Sequence, residues 1–461
     1  MDGIRGRARV WSPANICHRW LPRMQSIDLL IDADWVVPMT PGHPQLTKHS
    51  IAVHDGKIVA VLPSAQATSF VAAEHLTLTG HALMPGLVNA HTHGAMNLFR
   101  GMADDKPLMT WLEQHIWPAE ARVVSEEFVR DGTRFAIAEM LLSGTTCFND
   151  MYMFPDAAAK AAGEAGIRAC LGLIVLDFPT AWASNADEYI TKGLSLYDEL
   201  KYQSRLTAAF APHAPYTVSD APLQRVQTLA DELDVPVHIH VHETANEVEQ
   251  ALAHHGQRPL SRLAQLGLLT PRLMAVHMTQ LADTDIEAAA NHNINVVHCP
   301  ESNAKLASGM CPVAQLDAAG VNVALGTDGA ASNNDLDMLG ELRSAALIGK
   351  LAAQDACAIP AEMALRMATI NGARALGLDE RIGTLEAGKC ADLVAIDLRD
   401  ISTTPVYDVS SALVYAAAKH QVTHVWIDGQ HIVAERQLLT LDVSALAQSA
   451  NAWRERIDAP D

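Results

Sequence analysis

Met84-Pro-Gly-Leu-Val-Asn-Ala-His-Thr-His93 places two imidazoles two residues apart at the end of an apolar run. A β-strand puts residues i and i+2 on one face, so His91 and His93 can point at one metal ion. The run before them, Leu83–Val88, reads as a buried strand. In parallel α/β barrels the C-terminal ends of strands are where catalytic groups collect. A His-x-His pair carries little by itself. Its meaning depends on whether later strands bring further ligands to the same end.

Working outward, apolar runs recur at Thr145–Asn149, Arg168–Leu173, Leu206–Ala211, Pro236–His240, Leu273–His277, Ile294–His298 and Val321–Leu325. Amphipathic helical stretches such as Glu126–Leu142, Leu223–Leu233 and Asp283–Ala290 separate them. Eight such units predict an α/β fold, a (β/α)8 TIM barrel over residues 85–385. A doubly wound open sheet is the alternative, but no Gly-x-Gly-x-x-Gly follows a strand to support a dinucleotide site. The flanks differ. Short β-rich runs with Asp55-Gly56 and Asp428-Gly429 as hairpin turns predict a small β-sandwich domain built from both chain ends, residues 27–84 and 386–461.

Composition narrows the class. The chain has 461 residues, 49% of them hydrophobic, and a net charge of -20, which disfavours nonspecific nucleic-acid binding. No apolar run approaches the ~18 residues of a transmembrane helix, so no membrane role is expected. Seven scattered cysteines (17, 147, 170, 299, 311, 357 and 390) show no Cys-x-x-Cys spacing, which predicts a reducing, cytoplasmic setting. Residues 1–26, rich in arginine, read as a disordered N-terminal extension, or as the product of a start placed upstream of Met24.

Polar groups appear where the later strands end. The fifth gives Val237-His-Ile-His-Val-His-Glu243, the sixth Met274-Ala-Val-His277 and the eighth Val323-Ala-Leu-Gly-Thr-Asp328. If the barrel is right, His91, His93, His240 and Asp328 make an N₃O ligand set suited to Zn²⁺ or Fe²⁺ with a position open for water. His238, His240 and His242 share one strand face by parity. Depth along the strand selects His240, with His238 deeper and His242 past the end.

These stretches resemble the amidohydrolase superfamily, and within it the single-metal deaminases. The carriers are Pro85–His93, His240-Val-His-Glu243, His277, Thr327-Asp-Gly-Ala-Ala-Ser-Asn-Asn334 and Gly383–Val394. Leu108-Met-Thr-Trp-Leu112, Ile116-Trp-Pro-Ala-Glu120, Ala211-Pro-His-Ala-Pro-Tyr216 and Asn303-Ala-Lys-Leu306 are similar to the 5′-methylthioadenosine/S-adenosylhomocysteine deaminase family. The resemblance implies a homo-oligomeric hydrolase with one divalent ion per subunit, a nucleoside substrate, and an inosine derivative and ammonia as products. Binuclear members carry a lysine on the fourth strand; here that strand ends Phe210-Ala-Pro-His213, which favours one metal and makes His213 a substrate contact.

The same resemblance implies roles at the reacting ring. Asp328 accepts the proton of the attacking water, His277 orients its oxygen, and Glu243 protonates the ring nitrogen. Glu120 receives the ribose hydroxyls, and Trp111 packs on the thioether or base. The loop Val175-Leu-Asp-Phe-Pro-Thr-Ala-Trp182 lacks the arginines that some relatives place there, which leans the reading toward methylthioadenosine over S-adenosylhomocysteine. Two rivals remain at this level: deamination or dechlorination of another ring (guanine, cytosine, a triazine), and a metal-free scaffold. A Ser/His/Asp hydrolase is disfavoured because no Gly-x-Ser-x-Gly elbow is present.

Overall fold

The structure, a computed structural model, describes residues 25–42 and 45–459. Nearly all of the N-terminal extension expected over residues 1–26 therefore lies outside the described residues. The chain enters as β1 (Gln25–Val36), β2 (Leu46–His54), β3 (Lys57–Pro63) and β4 (Phe70–Pro85). β2 pairs antiparallel with β1 and β3, while β4 returns parallel to β1.

The expected strand Leu83–Val88 is two strands. β4 ends at Pro85, Gly86 intervenes, and β5 (Leu87–Thr92) begins the barrel. A Cβ at Gly86 would lie 2.1 Å from Thr146 Oγ1, so only glycine passes here. Its N–H leaves the barrel to reach Asp392 O at 3.0 Å, while Leu87 N donates to Gly144 O. Apolar continuity concealed the break because both sheets are buried at this point.

From β5 the strands follow in order: β6 (Thr145–Asp150), β7 (Arg168–Val175), β8 (Leu206–Pro212), β9 (Val237–Val241), β10 (Leu273–His277), β11 (Asn295–His298) and β12 (Asn322–Leu325). Each lies beside its sequence neighbour, and the ladders between them are parallel. Closure comes just past β12. Asp328 N donates to His91 O and Thr327 N to Asn89 Oδ1, both at 3.0 Å. A Cβ at Gly326 would stand 2.7 Å from His91 Cβ, so a glycine lets the eighth unit reach the first. The intervening helices are started by ordinary caps, such as Ser125 Oγ receiving Phe128 N and Thr244 Oγ1 receiving Glu247 N.

After the barrel, β13 (Leu393–Asp397), β14 (Val422–Ile427), β15 (Gln430–Ala434) and β16 (Gln437–Leu438) extend the first sheet, β13 pairing antiparallel with β4. The result is one eight-stranded mixed sheet from both chain ends, with buried apolar side chains on both of its faces. On one of them Leu29, Ile31, Ile51 and Leu83 pack against Leu393 and Trp426. The two hairpin turns read from the sequence come together at the rim: Ala391 N donates to Gly56 O and Gly429 N to Ala391 O, each at 2.9 Å.

Arg168, at the start of β7 and 1% exposed, fastens this sheet to the base of the barrel. Its guanidinium donates to both oxygens of Asp392 (2.9 and 3.0 Å) and to Asp428 Oδ1 (2.7 Å). The last helix, Val443–Asp458, lies on the barrel helix Glu126–Leu142, with Trp453 Nε1 donating to Asp131 Oδ2. Among the described residues no helix is long and apolar enough to cross a membrane.

Candidate active site

The polar groups singled out at the strand ends meet at the mouth of the barrel. His91 lies inside β5 and is fully buried; His93 stands one residue beyond it. His240 belongs to β9 and His277 ends β10. Asp328 follows β12 by three residues. His277 and Asp328 occupy left-handed backbone, with φ of +74° and +63°. Such conformations in non-glycine residues persist where surrounding structure over-determines them, commonly at functional sites. Here they turn both side chains into the mouth.

Asp328 Oδ1 lies 3.3 Å from His91 Nε2 and 3.2 Å from His93 Nε2, and His240 Nε2 lies 3.2 Å from His91 Nε2. The outer nitrogens explain why these atoms converge. His93 Nδ1 stands 2.6 Å from Met151 O and His240 Nδ1 2.7 Å from His213 O. A carbonyl only accepts, so both Nδ1 atoms carry the proton and both Nε2 atoms present a lone pair inward. His91 Nδ1 faces His238 Nε2 at 2.8 Å. His277 is built the other way: the Asn303 amide donates to its Nδ1 at 3.0 Å, which leaves its proton on Nε2, 3.8 Å from Glu243 Oε2.

Electrostatics agree with this division except at His93, where burial lowers the pKa but the neighbouring Asp328 carboxylate more than reverses it and leaves it raised. Burial and neighbouring imidazoles hold His240 and His238 well below the usual histidine range, and burial takes His213 and His277 down to about 3. Burial pushes the Asp328 carboxyl up, but its close contacts with the His91 and His93 rings more than reverse this and hold it well below its usual value. Glu243 is the opposite case. Burial, with the charges of Asp328 and Glu247 adding to it, raises its pKa far above a normal carboxyl. His91, His93 and His240 offer ring nitrogens within 4.8 Å of one another, and His91 and His277 do so with the Asp328 carboxylate. Donors of these types suit a divalent cation, and the residues present fit such a group.

Above this floor opens a cavity of about 450 Å³. Leu108, Trp111, Ile116 and Trp117 roof it, from a helical segment that includes a π-turn at Leu112–Ile116. Glu120 follows on the same segment and lines the cavity, its Oε1 receiving the Tyr152 hydroxyl at 2.6 Å, and burial raises its pKa to about 7. His213, Glu243, His277 and Asp328 all line the same space, so it brings together the residues singled out above. Among its described lining residues there is no lysine or arginine.

Strand parity failed at one residue. β9 ends at Val241, and His242 (φ +56°) turns its ring out of the mouth, where Nε2 accepts Leu260 N and Nδ1 lies 3.1 Å from Gln280 O. Other contributors escaped the sequence reading. Ser302 and Ser332 hydroxyls donate to Asp328 Oδ2 at 2.7 and 2.9 Å; Ser332 sits inside a stretch already quoted for its resemblance and Ser302 directly precedes another. Tyr152, two residues past β6, would have been found by applying the strand-end rule to the second strand.

The amidohydrolase family profile matches residues 82–432. The 5-methylthioadenosine/S-adenosylhomocysteine deaminase of Teredinibacter turnerae is 52% identical over 436 residues, covering 94% of this chain and 98% of that protein. The enzyme of the same name from Saccharophagus degradans is 51% identical over 433 residues, covering 94% and 97%. The crystal structure of a Xanthomonas campestris adenosine deaminase with bound zinc superposes with a TM-score of 0.93 at 54% identity, over 94% of this chain and 99% of that one. The atrazine chlorohydrolase TrzN of Arthrobacter aurescens, complexed with zinc, shares the fold at a TM-score of 0.86 and 23% identity. With a match of this length on a barrel whose strand ends gather such a donor set, the chain belongs to the amidohydrolase family, in its methylthioadenosine/S-adenosylhomocysteine deaminase group.

Proposed function

We propose that this protein hydrolyses the exocyclic carbon–nitrogen bond of the adenine ring in 5′-methylthioadenosine, giving the inosine derivative and ammonia. One divalent ion, Zn²⁺, fits between His91, His93, His240 and Asp328. The zinc reported in the Xanthomonas structure supports that choice of metal. When bound, such an ion supplies Lewis acidity that brings a water's pKa from 15.7 to roughly 7.

The observation that carries the reading is that two buried carboxyls lining one cavity are driven in opposite directions, Glu243 up in pKa and Asp328 down. Two carboxyls whose pKa values are driven apart mark an acid and a base. Asp328 receives the proton of the attacking water. His277, with its proton on Nε2, donates to the attacking oxygen and fixes its approach to the amine-bearing carbon. Glu243 gives its proton to the adjacent ring nitrogen, so negative charge does not build up on the ring. Asp328 then passes the proton it took from water to the amine, which departs as ammonia, while the remaining hydroxyl proton goes to Glu243 as the carbonyl forms.

On the cavity wall, Glu120 accepts from the ribose diol while Tyr152 holds its Oε1 in place. Met96, Met151, Met153, Leu176 and Phe178 supply an apolar wall for a methylthio group. With no arginine on that wall, a homocysteine carboxylate would lie unpaired, a loss of about 1.5–3 kcal/mol or roughly 10- to 100-fold.

Ammonia release with 5′-methylthioadenosine, S-adenosylhomocysteine, adenosine and guanine side by side tests this. We expect the highest kcat/KM with methylthioadenosine. Equal efficiency with S-adenosylhomocysteine overturns the preference, and ammonia from guanine alone overturns the assignment.

A further inference from the structure

Glu243 does not stand on the strand that delivers His240. β9 ends at Val241, and the backbone bends through left-handed His242 before Glu243 enters the cavity. A non-glycine residue in that region stores strain on the order of 1–2 kcal/mol, so neighbouring contacts must hold the bend. Glu247, 7% exposed, does so from below. Its Oε1 accepts His242 N at 3.0 Å and its Oε2 accepts Glu243 N at 2.7 Å. From the next strand's loop, Thr279 Oγ1 donates to Glu243 O at 2.7 Å. Both backbone polar groups of Glu243 are tied, each to a buried side chain.

A plain helix cap does not require this. Glu247 occupies the third position of helix Ala245–His255, and its N–H already reaches Thr244 Oγ1 at 3.2 Å, the ordinary cap exchange. A glutamate at that position commonly bonds the N–H of the capping residue. Here the carboxylate reaches past it to the two residues before, one of them the bend and the other Glu243.

Building on the function proposed above, we propose that Glu247 is a positioning residue for deamination. By anchoring the N–H groups on the two sides of the His242 bend, it fixes the Glu243 carboxyl against the substrate's ring nitrogen. Glu247 touches no substrate; it acts through Glu243 alone. Small displacements of a catalytic group, about 1 Å, can lower a rate about 100-fold without altering substrate binding.

A double-mutant cycle on metal-loaded, full-length protein with methylthioadenosine tests the proposal. Glu247→Gln keeps the size of the side chain but turns one accepting oxygen into an amide that faces a backbone N–H. The expected result is a kcat about 10- to 100-fold lower, with KM within about 2-fold and metal content unchanged. In a Glu243→Gln background the same substitution should change kcat by less than about 2-fold, because the group it positions is already lost. Thr279→Val, which cuts the other tether, should show the same non-additivity and covers the case in which Glu247→Gln fails to fold. Equal losses in both backgrounds, or a loss that follows metal content, overturn the inference alone. A Glu243→Gln variant turning over at the wild-type rate overturns the proton-donor assignment and this inference with it.

Discussion

The two ends of the barrel both bury charge, and they do opposite things with it. At the base, Arg168 is 1% exposed and is met by both oxygens of Asp392 and one of Asp428, while Arg205 takes the other oxygen of Asp428. Every strong donor there has an acceptor, and the cluster joins barrel to sheet. At the mouth, Glu243 and Asp328 are buried and Glu120 is half-buried, without an arginine or lysine among the described lining residues. Histidine lone pairs are aimed at one point, and one carboxyl is pushed up in pKa while another is held down. Buried charge with matched partners is architecture; buried charge left poised is chemistry.

The sharpest way to break this contrast is at Glu243. Glu243→Gln should lower kcat by about a thousandfold, within the range for loss of a general acid, with metal content and thermal stability unchanged. A near-normal rate would mean that the raised carboxyl at the mouth is only another structural group. At the base the expectation is reversed. Arg168→Ala strands buried Asp392 and should destabilise folding by about 3–5 kcal/mol in denaturant titrations, with kcat/KM of the folded fraction unchanged. A large kinetic defect without destabilisation would contradict the division.

Much of the mouth was legible in the sequence because strand ends are. Eight apolar runs with ligand-type residues just past them predicted the barrel, and period-2 geometry predicted that His91 and His93 share a face. What escaped was decided by backbone turns and by partners distant in sequence. Gly86 splits an apolar run because Thr146 crowds it from another strand. His242 leaves the face that parity gives it because its φ is positive. Tyr152 reaches Glu120 across 32 residues, and no local pattern announces that pair.

Smaller effects sharpen the Glu120 wall of the cavity. Tyr152→Phe removes a hydrogen bond to a half-buried carboxylate, an interaction of about 1.5–3 kcal/mol, and should raise KM for methylthioadenosine by about 10-fold or more with little change in kcat. The smallest expected effect is a pH dependence of KM. With its pKa raised to about 7, Glu120 is charged above that pH and protonated below it. KM should therefore rise as pH falls below 7, and the dependence should vanish in Glu120→Gln. A wild-type KM flat between pH 6 and about 8 would remove Glu120 from ribose recognition.

One preparation can carry the most direct test: metal content per chain by elemental analysis, and ammonia release from 5′-methylthioadenosine on the same sample. The account predicts one equivalent of divalent metal and one ammonia per nucleoside consumed. Two equivalents of metal, or a sample holding one equivalent that releases no ammonia, would contradict it.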